Sequence, residues 1–437
     1  MGKIEKNHNS LRDALERVSE EFITNNPISY ESWKNASGFM PGGNTRTVLH
    51  YDPFPVTMKG GNGACLEDLD GHHYIDFLGE YSAGLYGHSN SEIVEALKEA
   101  IDGGLVLGAP NQWETKLAEE ICNRFNSIDQ IRFTNSGTEA NLMAIGAARA
   151  YTGKDTIMVF EGGYHGGVLY FKSGSSPLNA PYPVIKAPYN DIAGTLALIK
   201  QNANILAGVL IEPMIGSGGC IPASTEFLQS LRDITKDCGI CLIFDEVMTS
   251  RSSAGGLQER LGIYPDITTL GKYMGGGASF GAFGANNDIM ALFDPTKANS
   301  LAHAGTFNNN VMSMAAGYTG LSKLFTSDVA DQLFDQGEKF KSELNDIIKK
   351  RDVSLQVTGV GSILGLHTHS EPVSNPVTAQ PANLEKLKLI HLEMMAHGFT
   401  YAQRGYLTLN LAMVPGDLER FKIAFDEVIL KHDDLLS

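Results

Sequence analysis

Cysteine is scarce in this chain. There are five, at positions 65, 122, 220, 238 and 241, in 437 residues. An odd, scattered set makes no disulfide framework and fits a reducing compartment. Cys238 and Cys241 form a C-x-x-C, but no second such pair and no suitable pair of histidines accompanies it. Two packed thiols at the head of a strand are therefore expected, and no metal site. Long apolar runs are missing too: none approaches the roughly 18 residues of a membrane span. The N-terminal MGKIEKNHNSLRDALERVSEEF is charged and lacks the apolar core of a secretory signal. These absences place the expected location in the cytoplasm, without a membrane partner. Positive charge is also in deficit, with 34 Lys and Arg against 50 Asp and Glu and a net charge of -16. That balance argues against a nucleic-acid partner. It leaves room for anionic small molecules held by local arginines, because distant charges are screened.

What is present is an ordinary globular composition, 43% hydrophobic and 19% charged, with 47 glycines. The length suits two lobes. Residues 10–22 read as a short amphipathic helix, and PGGNTRTVLHYDPFPV as an ordered loop. CLEDLDGHHYIDFLG alternates around a central D-G, the pattern of a β-hairpin. SEIVEALKEAI is helical. From about residue 115, helical stretches alternate with the short apolar runs IRFTN, TIMVF, AGVLIEP, CLIFDE, ITTLGK and FGAFGA. This alternation predicts an α/β domain with a mainly parallel central sheet covered on both faces. Beyond residue 328 come a long helix, a few strands in LQVTGVGSILGLHT and LTLNL, and the helix DLERFKIAFDEVILKH. The division expected is a large domain over 81–327, with a smaller α+β domain built from 1–80 and 328–437.

In open α/β sheets ligands bind beyond the carboxyl ends of the strands. Four groups of residues fall at such ends. Ser136, Gly137 and Thr138 open a helix and would form an anion cup; equally, Ser136 and Glu139 would form a capping box. Tyr164 and His165 follow TIMVF among glycines, in place to stack on a flat ligand or to sit in a hairpin-like loop. Asp245 and Glu246 end CLIFDE and are costly there unless paired, whether with a protonated ring nitrogen, a metal or a helix start. Glu212, in IEP, reads as a supporting acid. Lys272 lies between a strand and a glycine run. Tyr273 follows it, so the phosphate-loop pattern G-x-x-x-x-G-K-[ST] fails. Lys272 is then either a solvated lysine at a strand end or a nucleophile toward an aldehyde. Together, cup, aromatic, acid and lysine match the phosphate, ring face, ring nitrogen and aldehyde of one cofactor, pyridoxal 5'-phosphate (PLP).

The motifs TNSGTEAN, EGGYHGG, IEPM, FDEVMTSR and TTLGKYMGGG resemble the class III aminotransferases of fold type I. PGGNTRTVL, EYSAGLYGHS, GTFNNNVMSMAAGY and QRGY resemble, more closely, the bacterial β-amino-acid aminotransferases that accept β-phenylalanine. The resemblance implies a homodimer with active sites at the interface. It implies that Ser136, Gly137 and Thr138 bind phosphate and that Tyr164 stacks on the ring. Asp245 would pair with the ring nitrogen, Val247 or Met248 would pack on the opposite ring face, and Lys272 would form the aldimine. Thr306 would reach the neighbouring subunit's phosphate. Arg46 would hold the carboxylate of a β-amino acid, with Tyr81 also in the substrate pocket. Arg404 would hold one carboxylate of an acceptor such as 2-oxoglutarate. The implied reaction moves an amino group from a β-amino acid to a keto acid, 2-oxoglutarate or pyruvate. Glutamate-1-semialdehyde aminomutases share the cofactor motifs, but PGGNTR, Arg404 and GTFNNN, which lacks an expected proline, weigh against that relationship. A racemase or decarboxylase on the same fold is a further alternative. A PLP-binding protein without activity fits poorly with an intact Lys272 and Asp245.

Overall fold

The computed structural model describes residues 2–171, 176–380 and 382–437. Its centre is a sheet of seven strands. In chain order these are β1 (Gln130–Thr134), β2 (Thr156–Phe160), β3 (Val184–Ala187), β4 (Leu206–Ile211), β5 (Cys241–Asp245), β6 (Ile267–Gly271) and β7 (Gly281–Ala285). Across the sheet the order is β1-β7-β6-β5-β4-β2-β3. All pairings are parallel except those of β7, which runs against both β6 and β1. The five apolar runs ending in TIMVF, AGVLIEP, CLIFDE, ITTLGK and FGAFGA are strands, as is IRFTN.

Side chains leave a strand on alternate faces, so a sheet covered on both sides needs apolar residues at every position. β2 meets this demand. Ile157 and Val159 pack with Ala144 and Ala148 of helix α1 (Gly137–Thr152), while Met158 and Phe160 pack with Phe227 and Leu231 of helix α2 (Thr225–Asp237). Each fully buried side chain of this size contributes roughly 1.5–3 kcal/mol. The helices thus pin the sheet from both faces and fix the edge where its parallel strands end.

The hairpin around the D-G is present, with Cys65 opposite Ile75. Its second strand also pairs, in parallel, with the two-residue strand Phe399–Thr400. The two ends of the chain therefore share one sheet. The first helix runs over Gly2–Asn25, longer than the expected 10–22. It buries Leu11, Leu15, Val18 and Phe22 against Leu389, Leu392 and Met395. Cys238 caps α2 and Cys241 opens β5, and all five cysteines are free. Among the described residues no helix is long and apolar enough to cross a membrane.

Candidate active site

A cavity of about 310 Å³ opens at the carboxyl ends of the parallel strands. Ser136 follows β1, Tyr164 follows β2, Glu212 follows β4, Asp245 ends β5 and Lys272 follows β6. All of them line it, as do Arg46, Gly137, Thr138, His165, Val247 and Met248. Because β7 is reversed, its entry, Ala278 to Phe280, meets the same edge.

The two acids of FDE take different roles. Glu246 turns into the protein and accepts hydrogen bonds from the backbone N–H groups of Leu257 (2.8 Å) and Gln258 (2.9 Å) and from the Thr249 hydroxyl (2.9 Å). It is a structural acid. Asp245 turns into the cavity. One carboxylate oxygen accepts from Asn141 Nδ2 and from His165 Nδ1, both at 2.8 Å, and the other accepts from the Val247 N–H at 3.1 Å. The Asn141 amide is itself fixed, because its oxygen accepts from the Thr269 hydroxyl at 2.7 Å. The sequence signal for Asn141 lay inside TNSGTEAN, but a buried asparagine in a helix says nothing about an acid 104 positions away.

The Ser136 hydroxyl accepts from the Glu139 N–H at 3.2 Å, and the Glu139 carboxylate accepts from the Asn135 N–H at 2.8 Å. A cap is therefore present, although not the reciprocal box. The cup remains, since the first N–H groups of α1 have no intrahelical acceptors and carry the positive end of the helix dipole. Tyr164 does sit in a hairpin-like loop, bridged to Tyr170. The loop is tied down by Glu212, which accepts from the N–H groups of Tyr164 (2.9 Å) and Gly216 (3.0 Å). Burial, above all, pushes the Glu212 carboxyl above its usual range.

Lys272 has a left-handed backbone, φ 55°. Its amine donates to the backbone carbonyl of Tyr81. Burial, the largest cause, pulls its pKa down to about 8; Arg46 and Arg404 act the same way, and Asp245 and Glu212 oppose them. The solvated-lysine alternative does not describe this environment. Tyr81 belongs to a turn over Gly79–Ser82 in which four successive residues have φ of 49°, 46°, 55° and 78°. These are left-handed values, which cost an ordinary residue roughly 1–2 kcal/mol each. Glu80, in that turn, pairs with Arg46. Sequence reasoning missed Glu80, because E-Y-S carries no sign of a left-handed turn.

Three predicted residues lie outside this cavity wall. Tyr81 is 7% exposed, with Arg46 5.7 Å and Arg404 5.1 Å from its ring centre. Arg404 lines a neighbouring cavity of about 290 Å³. Thr306 lies apart, on a separate cavity of about 370 Å³ beside Val106 and Phe307.

The residues present fit PLP. The helix start offers N–H donors to a phosphate, Asp245 offers a held carboxylate to a ring nitrogen, and Lys272 offers an amine of lowered pKa to an aldehyde. The space is cut by glycines: a Cβ on Gly137 would come within 2.8 Å of Val247, and one on Gly166 within 2.1 Å of the Thr138 hydroxyl.

The family profile for aminotransferase class-III matches residues 48–401. The chain belongs to the class III aminotransferases. A β-phenylalanine transaminase of Variovorax paradoxus is 47% identical over 431 residues, which are 98% of this chain and 99% of that one. A crystal structure of β-phenylalanine aminotransferase from that organism superposes with a TM-score of 0.96 at 46% identity, over 98% of this chain and 99% of the other. A transaminase solved with PLP bound gives a TM-score of 0.85 at 30% identity, over 93% and 98% of the two chains. A glutamate-1-semialdehyde aminomutase of Alkaliphilus metalliredigens is 37% identical over 87% of this chain and 90% of its own. This aminotransferase therefore has the fold type I architecture and uses PLP.

Proposed function

We propose that this aminotransferase takes the amino group of a β-amino acid, of the aromatic β-phenylalanine kind, and delivers it to a keto acid such as 2-oxoglutarate or pyruvate. The observation that carries this reading is Arg46 in the same cavity as Lys272. The 47% identical β-phenylalanine transaminase supports it. When bound, PLP supplies an aldehyde to hold the amino group and a ring that takes up the electron pair of a broken C–H bond. The chain's residues do the rest. Ser136, Gly137 and Thr138 would hold the phosphate. Tyr164, with Val247 or Met248, would flank the ring, and His165 and Asn141 would hold Asp245 against its nitrogen. Lys272 would bond the cofactor and, once released by the incoming amine, carry the proton away from the amine-bearing carbon and return it. Arg46 would grip the donor carboxylate in bidentate fashion, and Arg404 a carboxylate of a dicarboxylic acceptor, both near the Tyr81 ring.

A homodimer belongs to this proposal. Val106 is 84% exposed and Phe307 58%, two apolar side chains beside Thr306, which would reach the phosphate in the second subunit. The five free cysteines support a cytoplasmic location.

The test is a panel of α- and β-amino acids with 2-oxoglutarate and pyruvate as acceptors. Aromatic β-amino acids should be consumed with at least one acceptor. Arg46→Ala should lower kcat/KM for them about 30-fold, from roughly 2 kcal/mol of lost pairing. No turnover of any β-amino acid, or unchanged kinetics in the Arg46 variant, rejects the reading.

A further inference from the structure

Arg251 is 1% exposed. Among the described residues no carboxylate pairs with it, and the groups that act on its charge are Tyr406, Tyr273 and Tyr86. Its guanidinium donates to the carbonyl of Leu409 and, at a long 3.5 Å, to the carbonyl of Ser82. The hydroxyls of Tyr86, Tyr273 and Tyr406 around it are buried, that of Tyr273 beside Ser250 and that of Tyr406 beside Ser82. Arginine keeps its charge in proteins, so this is an interior cation whose hydrogen-bond acceptors, among the described residues, are carbonyls. Such groups are poor contributors to stability, and well-packed apolar replacements are often neutral or stabilising. Folding alone does not account for an arginine here.

The partners suggest another account. Ser82 closes the left-handed turn Gly79–Ser82. Leu409 directly follows the strand Tyr406–Thr408, which begins two residues after Arg404. Arg251 itself lies on the short helical turn Thr249–Ser252, just beyond Asp245. One side chain therefore joins the segments that bear Asp245, Tyr81 and Arg404. A turn with three non-glycine residues in the left-handed region persists only where its surroundings over-determine it. Other holds are Asp76, which accepts from the N–H groups of Leu78 and Gly79 at 2.9 Å, and the Tyr81 hydroxyl, which donates to the Val48 carbonyl at 2.8 Å.

We propose that Arg251 is a positioning residue for transamination. It clamps the Gly79–Ser82 turn so that the Tyr81 carbonyl meets the Lys272 amine and the Tyr81 ring stays within reach of Arg46 and Arg404. The inference rests on the reading of Lys272 as the cofactor-bearing proton carrier.

The test compares the holoenzyme with Arg251→Met and Arg251→Lys. The measurements are Tm, PLP affinity and the single-turnover rate with a saturating amino donor, taken well below Tm. Arg251→Met should keep its Tm and bind PLP within twofold of the parent, because the phosphate cup lies at the start of α1 and the Asp245 carboxylate is held by Asn141, His165 and the Val247 N–H. Its single-turnover rate should fall roughly 10- to 100-fold, the scale of a displacement of about 1 Å among reacting groups. Arg251→Lys, which retains one donor, should recover part of that loss. A folded Arg251→Met enzyme with an unchanged rate overturns the proposal. So does a fall in Tm and PLP affinity with the saturated rate intact, which marks a purely structural residue. Should Arg251→Met fail to fold, Arg251→Lys carries the test: a slowed saturated rate at unchanged PLP affinity supports the proposal, and an unchanged rate overturns it. Borohydride trapping of the holoenzyme and peptide mapping test the underlying reading separately. An adduct on another lysine removes Lys272 from its role whatever the Arg251 variants do.

Discussion

Lys272 combines two properties that pull against each other. Its amine must be neutral to take a proton, yet an ordinary lysine is charged at neutral pH. Burial resolves the conflict by lowering its pKa to about 8. With the donor bound, the saturated half-reaction rate should rise with pH up to about 8 and then level. A profile flat from pH 6 to 9 would show that another group carries the proton. The cofactor-free protein gives a second expectation. Between pH 8 and 10.5 the unfolded chain keeps a proton that the folded chain has released, so unfolding free energy should rise with pH across that window, as chemical denaturation can measure. The same residue scale marks what the sequence disclosed. Asp245 and Lys272 stood out because a charged group ending an apolar run demands a partner. Asn141, Glu80 and Arg251 did not, because their roles come from groups distant along the chain, such as Ser82, 169 positions from Arg251.

Elements differ in how openly they are written. β2, β4 and β5 are buried at every position and read as unbroken apolar runs. β3 escaped because its pattern is mixed, with Val184 and Lys186 exposed at the sheet's edge. The helix Leu384–Ala396 escaped for the opposite reason: it is buried around most of its circumference, which blurs the single apolar stripe. The left-handed turn escaped because tertiary contacts override local preference. Glycine is the clearer marker. Gly166, φ 125°, lies where a Cβ would strike the Thr138 hydroxyl, whereas Gly167 has open space around it and an ordinary φ. Gly166→Ala should weaken PLP binding on the order of 10-fold, through strain of about 1–3 kcal/mol and a displaced Thr138. Gly167→Ala should bind PLP like the parent. Equal affinity in both variants would remove the loop from the cofactor site.

At the scale of the molecule, Val106 and Phe307 place exposed apolar side chains beside Thr306. Val106→Asp should shift the protein toward the monomer in sedimentation velocity and weaken PLP binding, because Thr306 would no longer reach a neighbour. A dimer of undiminished affinity in that variant would place the interface elsewhere. The sheet shared by the chain's two ends has a consequence for biosynthesis. Ile75 pairs with Phe399, so the early hairpin waits for a strand translated roughly 320 residues later, about 15–65 s at ribosomal speeds of about 5–20 residues per second. Through that interval its open edge is a site for chaperone capture or misassociation on the nascent chain, and slowing translation before Phe399 would lengthen the exposure without changing a single contact of the finished enzyme.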